Sequence, residues 1–167
     1  AADHRNFSRH YRQRLRAEVL YDTLSQITGE TDDFDAMPPN SRAKELWTAR
    51  VTSLFLDAFG RQDPNQDPPC ERNVEPTIVQ ALHLMNSDQL YRRVSSKDGL
   101  AARLAASERS EHEVIEDLYL SVYGRFPVPD EVSAALSYFP NDEADRRPAV
   151  EDLMWALVNT PEFVFED

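Results

Sequence analysis

Cysteine is nearly absent: Cys70 stands alone among 167 residues. No internal disulfide framework can form, and the cysteine count leaves the compartment open. Glycine is scarce too, 4 residues against 11 prolines. With few runs rich in Val, Ile and Thr, this argues against sheets and for helices punctuated by proline. The longest uninterrupted apolar run is LMWALV (153–158), far short of the roughly 20 residues that span a bilayer. The chain opens on Ala1-Ala2 with neither methionine nor an apolar signal core, so it is expected to be a processed or excised piece of something longer.

Chemical motifs are missing as well. There is no CxxCH, GxSxG, HExxH, paired-cysteine motif or phosphate-cradling glycine loop. The histidines His4, His10, His83 and His112 show no metal-ligand spacing, and none lies near Cys70 in the sequence. No catalytic residue, cofactor or metal is therefore assigned. Cys70 next to Glu71 is read as inert, because a neighbouring carboxylate raises a thiol's pKa.

What is present is acid. Residues 1–16 carry Arg5, Arg9, Arg12, Arg14 and Arg16 against Asp3, a balance of +4; the rest carries −16, for a net charge of −12. Such a body repels phosphate backbones, so nucleic acid is not an expected partner, and the basic arm is expected to lie against an acidic surface. A hydrophobic fraction of 41% beside a charged fraction of 29% suits a water-soluble domain with a real core.

Apolar spacing gives the helices. The first spans 9–28, capped by Ser8 and closed by Gly29, with Ala17, Leu20, Leu24 and Ile27 on one face. Arg14, Glu18 and Asp22 form an i, i+4, i+8 ladder along it. Residues 30–39 (ETDDFDAMPP) make an acidic loop whose spacing fits no EF-hand. A short helix over 51–59 turns Leu54, Phe55, Ala58 and Phe59 inward. A long loop with Pro64, Pro68 and Pro69 (61–73) precedes the central helix over 76–86, which is apolar nearly all round except for Gln80 and His83. Short helices follow over 87–94, capped by Ser87, and over 99–106, capped by Asp98. Ser110 and Glu113 form a capping box for a helix ending at Gly124. Pro129 opens one with Val132, Ala135, Leu136 and Phe139 inward. The last, 148–158, is again apolar nearly all round.

LHLMNSDQLY (82–91) and WALVNTPEFV (155–164) echo each other. Asn86 and Asn159 would end buried helices, and Ser87 and Thr160 would cap the next. The expected fold is all-α, a single bundle of about seven to eight helices over 1–167, with 1–9 an irregular basic arm.

On the segments NFSRHYRQRLRAEVLYDTL (6–24), LFLDAFGR (54–61), CERNVEPTIVQALHLMNS (70–87), EVIEDLYLSVYGRFPVPDE (113–131) and EDLMWALVNTPEFVF (151–165), the chain resembles a family, the C-terminal domain of unknown function numbered 1553. That family is typical of multidomain planctomycete proteins. The resemblance implies an exported protein in a periplasmic or cell-surface setting, with upstream domains of the same polypeptide as partners, often including a cytochrome-c-type module. Pro68 stands where the family's C-x-C-E-R pattern has its first cysteine, so a metal or redox role for that pair is not carried over.

Two readings follow. One is a non-catalytic helical module packing against the upstream domains. The other is a contribution to an active site or ligand cleft in a polysaccharide-related or haem-linked redox protein. Its candidate cluster is Arg14, Glu18, Arg72, Glu75, Gln80 and His83, polar groups within otherwise apolar motif segments.

Overall fold

A computed structural model describes residues 13–35, 37–48, 50–61, 88–140 and 146–166. The expected central helix over 76–86, nearly all of the loop before it, Ser87 and the basic arm 1–9 lie outside the described residues. Eight α-helices occur among those described: α1 Ala17–Thr28, α2 Leu54–Ala58, α3 Asp88–Val94, α4 Leu100–Ala105, α5 Glu111–Tyr123, α6 Pro129–Leu136, α7 Arg146–Val158 and α8 Pro161–Val164. A 3-10 turn spans Ala43–Glu45. Two residue pairs of antiparallel strand, β1 Gln13–Arg14 with β2 Phe165–Glu166, join the two ends of the described chain. The fold is all-α, as the sequence pattern requires.

α7 is the centre of this body. It touches α3, α4, α5 and α8, and it buries Ala149, Val150, Leu153, Met154, Leu157 and Val158. Apolar side chains on most of its circumference demand neighbours on several sides. The facing walls come from Val114, Ile115 and Leu118 of α5 and Ala101 and Leu104 of α4, and Leu20 of α1 belongs to the same core. α1 ends at Gly29 and α5 at Gly124, both left-handed with φ of 77° and 70°, where a side chain would be strained. Gly99 lets α4 start against the end of α1, since a Cβ there would stand 2.9 Å from the Thr28 carbonyl oxygen.

Several local expectations are corrected. α1 begins at Ala17 rather than at residue 9, because residues 13–15 are drawn into pairing with the chain's other end and the Leu15 amide donates to the Val164 carbonyl at 2.9 Å. Arg14 therefore stands outside the helix, and the expected ladder is not a helical one. Asp22 turns instead to the 3-10 turn, accepting from the amides of Ala43 at 2.6 Å and Lys44 at 3.2 Å. α2 starts at Leu54 behind a Ser53 N-cap, which leaves Leu54 exposed and gives its inward place to Leu56. Gly99, not Asp98, is the N-cap of α4. The Ser110–Glu113 capping box forms as expected.

At the corner after α7, Asn159 ends the helix through its side-chain amide, which donates to the Trp155 carbonyl at 2.8 Å. Thr160 occupies the N-cap position of α8 but makes no side-chain cap bond. Its hydroxyl donates to the Leu157 carbonyl at 2.8 Å and lies 2.7 Å from the Tyr123 hydroxyl.

The corner between α5 and α6 is ionic. Arg125 donates to Glu162 through Nε (2.6 Å) and Nη2 (2.8 Å), and to Glu131 through Nη1 and Nη2 (both 2.8 Å). Glu131 also accepts from the Val128 amide at 2.8 Å, serving the start of α6. Hydrogen bonding to Arg125 holds the Glu131 carboxyl below the usual carboxylate range, against a smaller opposing effect of burial. Bidentate pairs of this kind orient planar groups as well as attracting them. Above this corner α6 buries only Ala135, with Val132 and Phe139 half-buried and Leu136 exposed. The expected inward stripe is thus covered at Ala135, partly covered at Val132 and Phe139, and open at Leu136; among the described elements α6 packs chiefly on α5.

The packing predicts an asymmetry in stability. Met154→Ala should lower the unfolding free energy by about 2–5 kcal/mol, as large-to-small core changes do. Leu54→Ala should stay within about 0.5 kcal/mol, as surface changes do. Denaturant unfolding of both variants checks this, and equal losses would refute the arrangement.

Candidate functional site

Tyr21 and Ser25 lie one turn apart on α1, and Gln89 and Arg93 lie one turn apart on α3, so each helix presents two polar groups to one place. The loop after Gly29 brings Glu30 and Asp32 to the same point. Arg93, only 6% exposed, is the hub. Its Nη1 donates to the Ser25 hydroxyl at 2.8 Å and to the Glu30 carbonyl at 3.2 Å. Its Nη2 donates to the Tyr21 hydroxyl at 2.7 Å and to Asp32 Oδ2 at 2.6 Å. Tyr21 in turn donates to the same Asp32 oxygen at 2.5 Å, and the Gln89 amide donates to it as well. The Tyr21 ring is held by Phe34 and Phe55, with centroids 5.4 and 5.5 Å away.

The electrostatics follow from this geometry. Burial pushes the Tyr21 hydroxyl well above its ordinary range, and its bond to Asp32 adds to that. For Asp32, burial acts to raise the pKa. The hydrogen bonds from Tyr21 and Arg93, the charge of Arg93 and the Gln89 amide outweigh it, so the carboxyl sits below its usual value. Around neutral pH the hub is one protonated phenol, one carboxylate and one guanidinium. General acid–base chemistry draws on groups that titrate near the working pH; the shifts of Tyr21 and Asp32 both run away from neutrality.

Beside the hub, α1 and the segment from Thr31 to Lys44 enclose an open cleft of about 400 Å³. Gln26, Asn40, Arg42 and Lys44 line it, together with Asp22 and Asp32. Both carboxylates are already engaged, Asp22 by the 3-10 turn and Asp32 by the hub. Among the described residues no group of three or more His, Cys, Asp or Glu side chains is placed to hold a metal ion.

Of the six residues singled out by sequence, the structure places two. Arg14 is buried in β1, with its guanidinium carbon 5.7 Å from the Phe59 ring centroid and Nη1 donating to the Leu15 carbonyl at 3.3 Å. Burial lowers its pKa. Glu18 lies half-buried in the first turn of α1. Arg72, Glu75, Gln80 and His83 lie outside the described residues. Sequence reasoning missed Arg93, although a signal was there. Leu90, Arg93 and Val94 share one helical face, and a cation on an apolar stripe implies a buried acceptor. Which of the loop's carboxylates would meet it was not readable from spacing.

Arg93→Ala should cost about 2–4 kcal/mol, at or below the range for a fully buried pair because Asp32 is half exposed. The pH dependence has a definite sign. Asp32 has a lower pKa folded than unfolded, so its contribution is present above the unfolded value and is lost as pH falls through the folded one. Asp32→Asn should therefore flatten the decline of stability below about pH 4. Unfolding curves collected from pH 2 to 7 check it, and an acid limb identical to that of the parent would refute the pairing.

Among the described residues no helix is long and apolar enough to cross a membrane. No curated protein and no solved structure matches the chain. A family model does, over residues 1–139, a span that takes in α1 to α6, the hub and the Arg125–Glu131 part of the ionic corner. By that match the chain belongs to the family described as PSD1, Protein of unknown function (DUF1553).

Proposed function

We propose that this chain is a non-catalytic helical module that packs against the upstream domains of an exported multidomain protein, in a periplasmic or cell-surface setting. The observation that carries the reading is how the polar groups are used. The Arg93 hub and the Arg125 corner each engage a guanidinium in several internal bonds, as parts of a rigid body do. Against that, large apolar side chains stand in solvent, among them Trp47, Leu54, Phe126 and Tyr138. Single exposed apolar residues are ordinary, but several bulky ones on a small acidic domain suit a surface that meets another protein. The setting and the upstream domains rest on the family resemblance.

The open cleft beside α1 favours a second reading, in which the module contributes a ligand cleft to a polysaccharide-related or haem-linked protein. Its hydroxyl, amide and cationic lining would suit a polar ligand rather than an apolar one.

The first reading is tested by mixing the chain with its separately expressed upstream domains and following association by calorimetry and size exclusion. Binding in the micromolar range or tighter is expected. No association at several hundred micromolar would overturn it.

A further inference from the structure

The cleft beside α1 has unused donors and few free acceptors. Asp22 and Gln26 line it from α1, and Asn40, Arg42 and Lys44 line it from the segment that follows. Its carboxylates are engaged. Asp22 accepts from the Ala43 and Lys44 amides, and Asp32 accepts from Arg93, Tyr21 and Gln89. Asn40 is held in the left-handed region at a φ of 62°, which asparagine tolerates better than most residues. Its backbone amide donates to Asp33 Oδ1 and its Oδ1 accepts from the Thr31 hydroxyl, both at 3.3 Å, so its Nδ2 is left over. Among the described residues that Nδ2, the Gln26 amide, the Arg42 guanidinium and the Lys44 ammonium have no hydrogen-bond or ion-pair partner.

Resting on the second reading above, we propose that this cleft binds a small ligand through an oxyanion, either a carboxylate or a phosphate group. A donor-rich wall suits an acceptor-rich ligand, and cations on both sides of Ala43 suit a negative one. The planar fork of arginine matches either group through two parallel bonds. The site is built in advance. Asp22 pins the turn that carries both cations, and a preformed backbone lowers the ordering cost of binding. A cleft of about 400 Å³ falls in the size range of small-ligand sites. The engaged carboxylates keep their charge and the whole chain stands at −12, so binding is weak and weakens further with salt.

Amide chemical-shift titrations of the 167-residue chain test this, with glucuronate, inorganic phosphate and glucose as probes. Glucuronate, phosphate or both should shift the Gln26, Asn40 and Lys44 amides saturably, and glucose should leave them in place. The responding probe identifies the acid group. Arg42→Gln combined with Lys44→Gln, both at exposed positions, should weaken that binding about tenfold, as loss of two charge-assisted bonds at an open site does. Lys97→Gln, which removes an exposed cation outside the cleft, should leave it unchanged. Glucose shifting the same amides as strongly would overturn the oxyanion assignment and leave the cleft reading standing. Anion shifts that the double variant leaves intact, or that spread over cations all round the surface, would overturn the assignment too. No shift at these amides with any probe would overturn both.

Discussion

A guanidinium taken out of water must find acceptors in the protein, and Arg93 is the point where this requirement organises the fold. From α3 it reaches acceptors on two other stretches, α1 and the acidic loop after Gly29. Each would be a marginal element alone. α3 has 7 residues, fewer than an isolated helix needs to persist in water. Tying that short helix to α1 through a buried charge fixes its position more tightly than apolar contact would, because an unmet guanidinium is costly whereas a slightly shifted leucine is not.

The same logic recurs on the other side of the body with less burial. Arg125 joins the α5–α6 turn to α8 through two carboxylates, while Tyr123 reaches the end of α7 through the Leu157 carbonyl at 3.0 Å. Burial pushes the Tyr123 hydroxyl up to about 12, so it stays a donor. β2 follows directly on α8 and pairs with β1, so the corner also places the strand that meets the beginning of the described chain. Beside both stands α7, whose apolar circumference touches four other helices. The polar clusters set orientation and the apolar residues set adhesion.

The proposed function draws on how completely these polar groups are engaged. A phenol shifted up, a carboxylate shifted down and a guanidinium with four acceptors form a closely bonded charge arrangement. This supports the helical-module reading proposed above. Exposed aromatic and aliphatic side chains, Trp47 and Tyr138 among them, are the surface that the proposed module has left to offer.

Helical periodicity and capping chemistry are local properties, and they carried most of the architecture into view. The all-α class, the Ser110 capping box, the left-handed glycines ending α1 and α5, and the apolar circumference of α7 all depend on residues within one or two turns of each other. The remainder depends on distant parts of the chain. Residues 13–15 have helical neighbours in sequence, yet they are extended because β2 arrives from the other end. Thr160 has the composition of a cap and turns to Tyr123 instead. The stripe of α6 has inward spacing but meets its wall only in part, closed at Ala135 and open at Leu136. Spacing along a chain determines which side of a helix is apolar; only the placement of the other helices decides whether that side is covered, and which carboxylate a buried arginine finds.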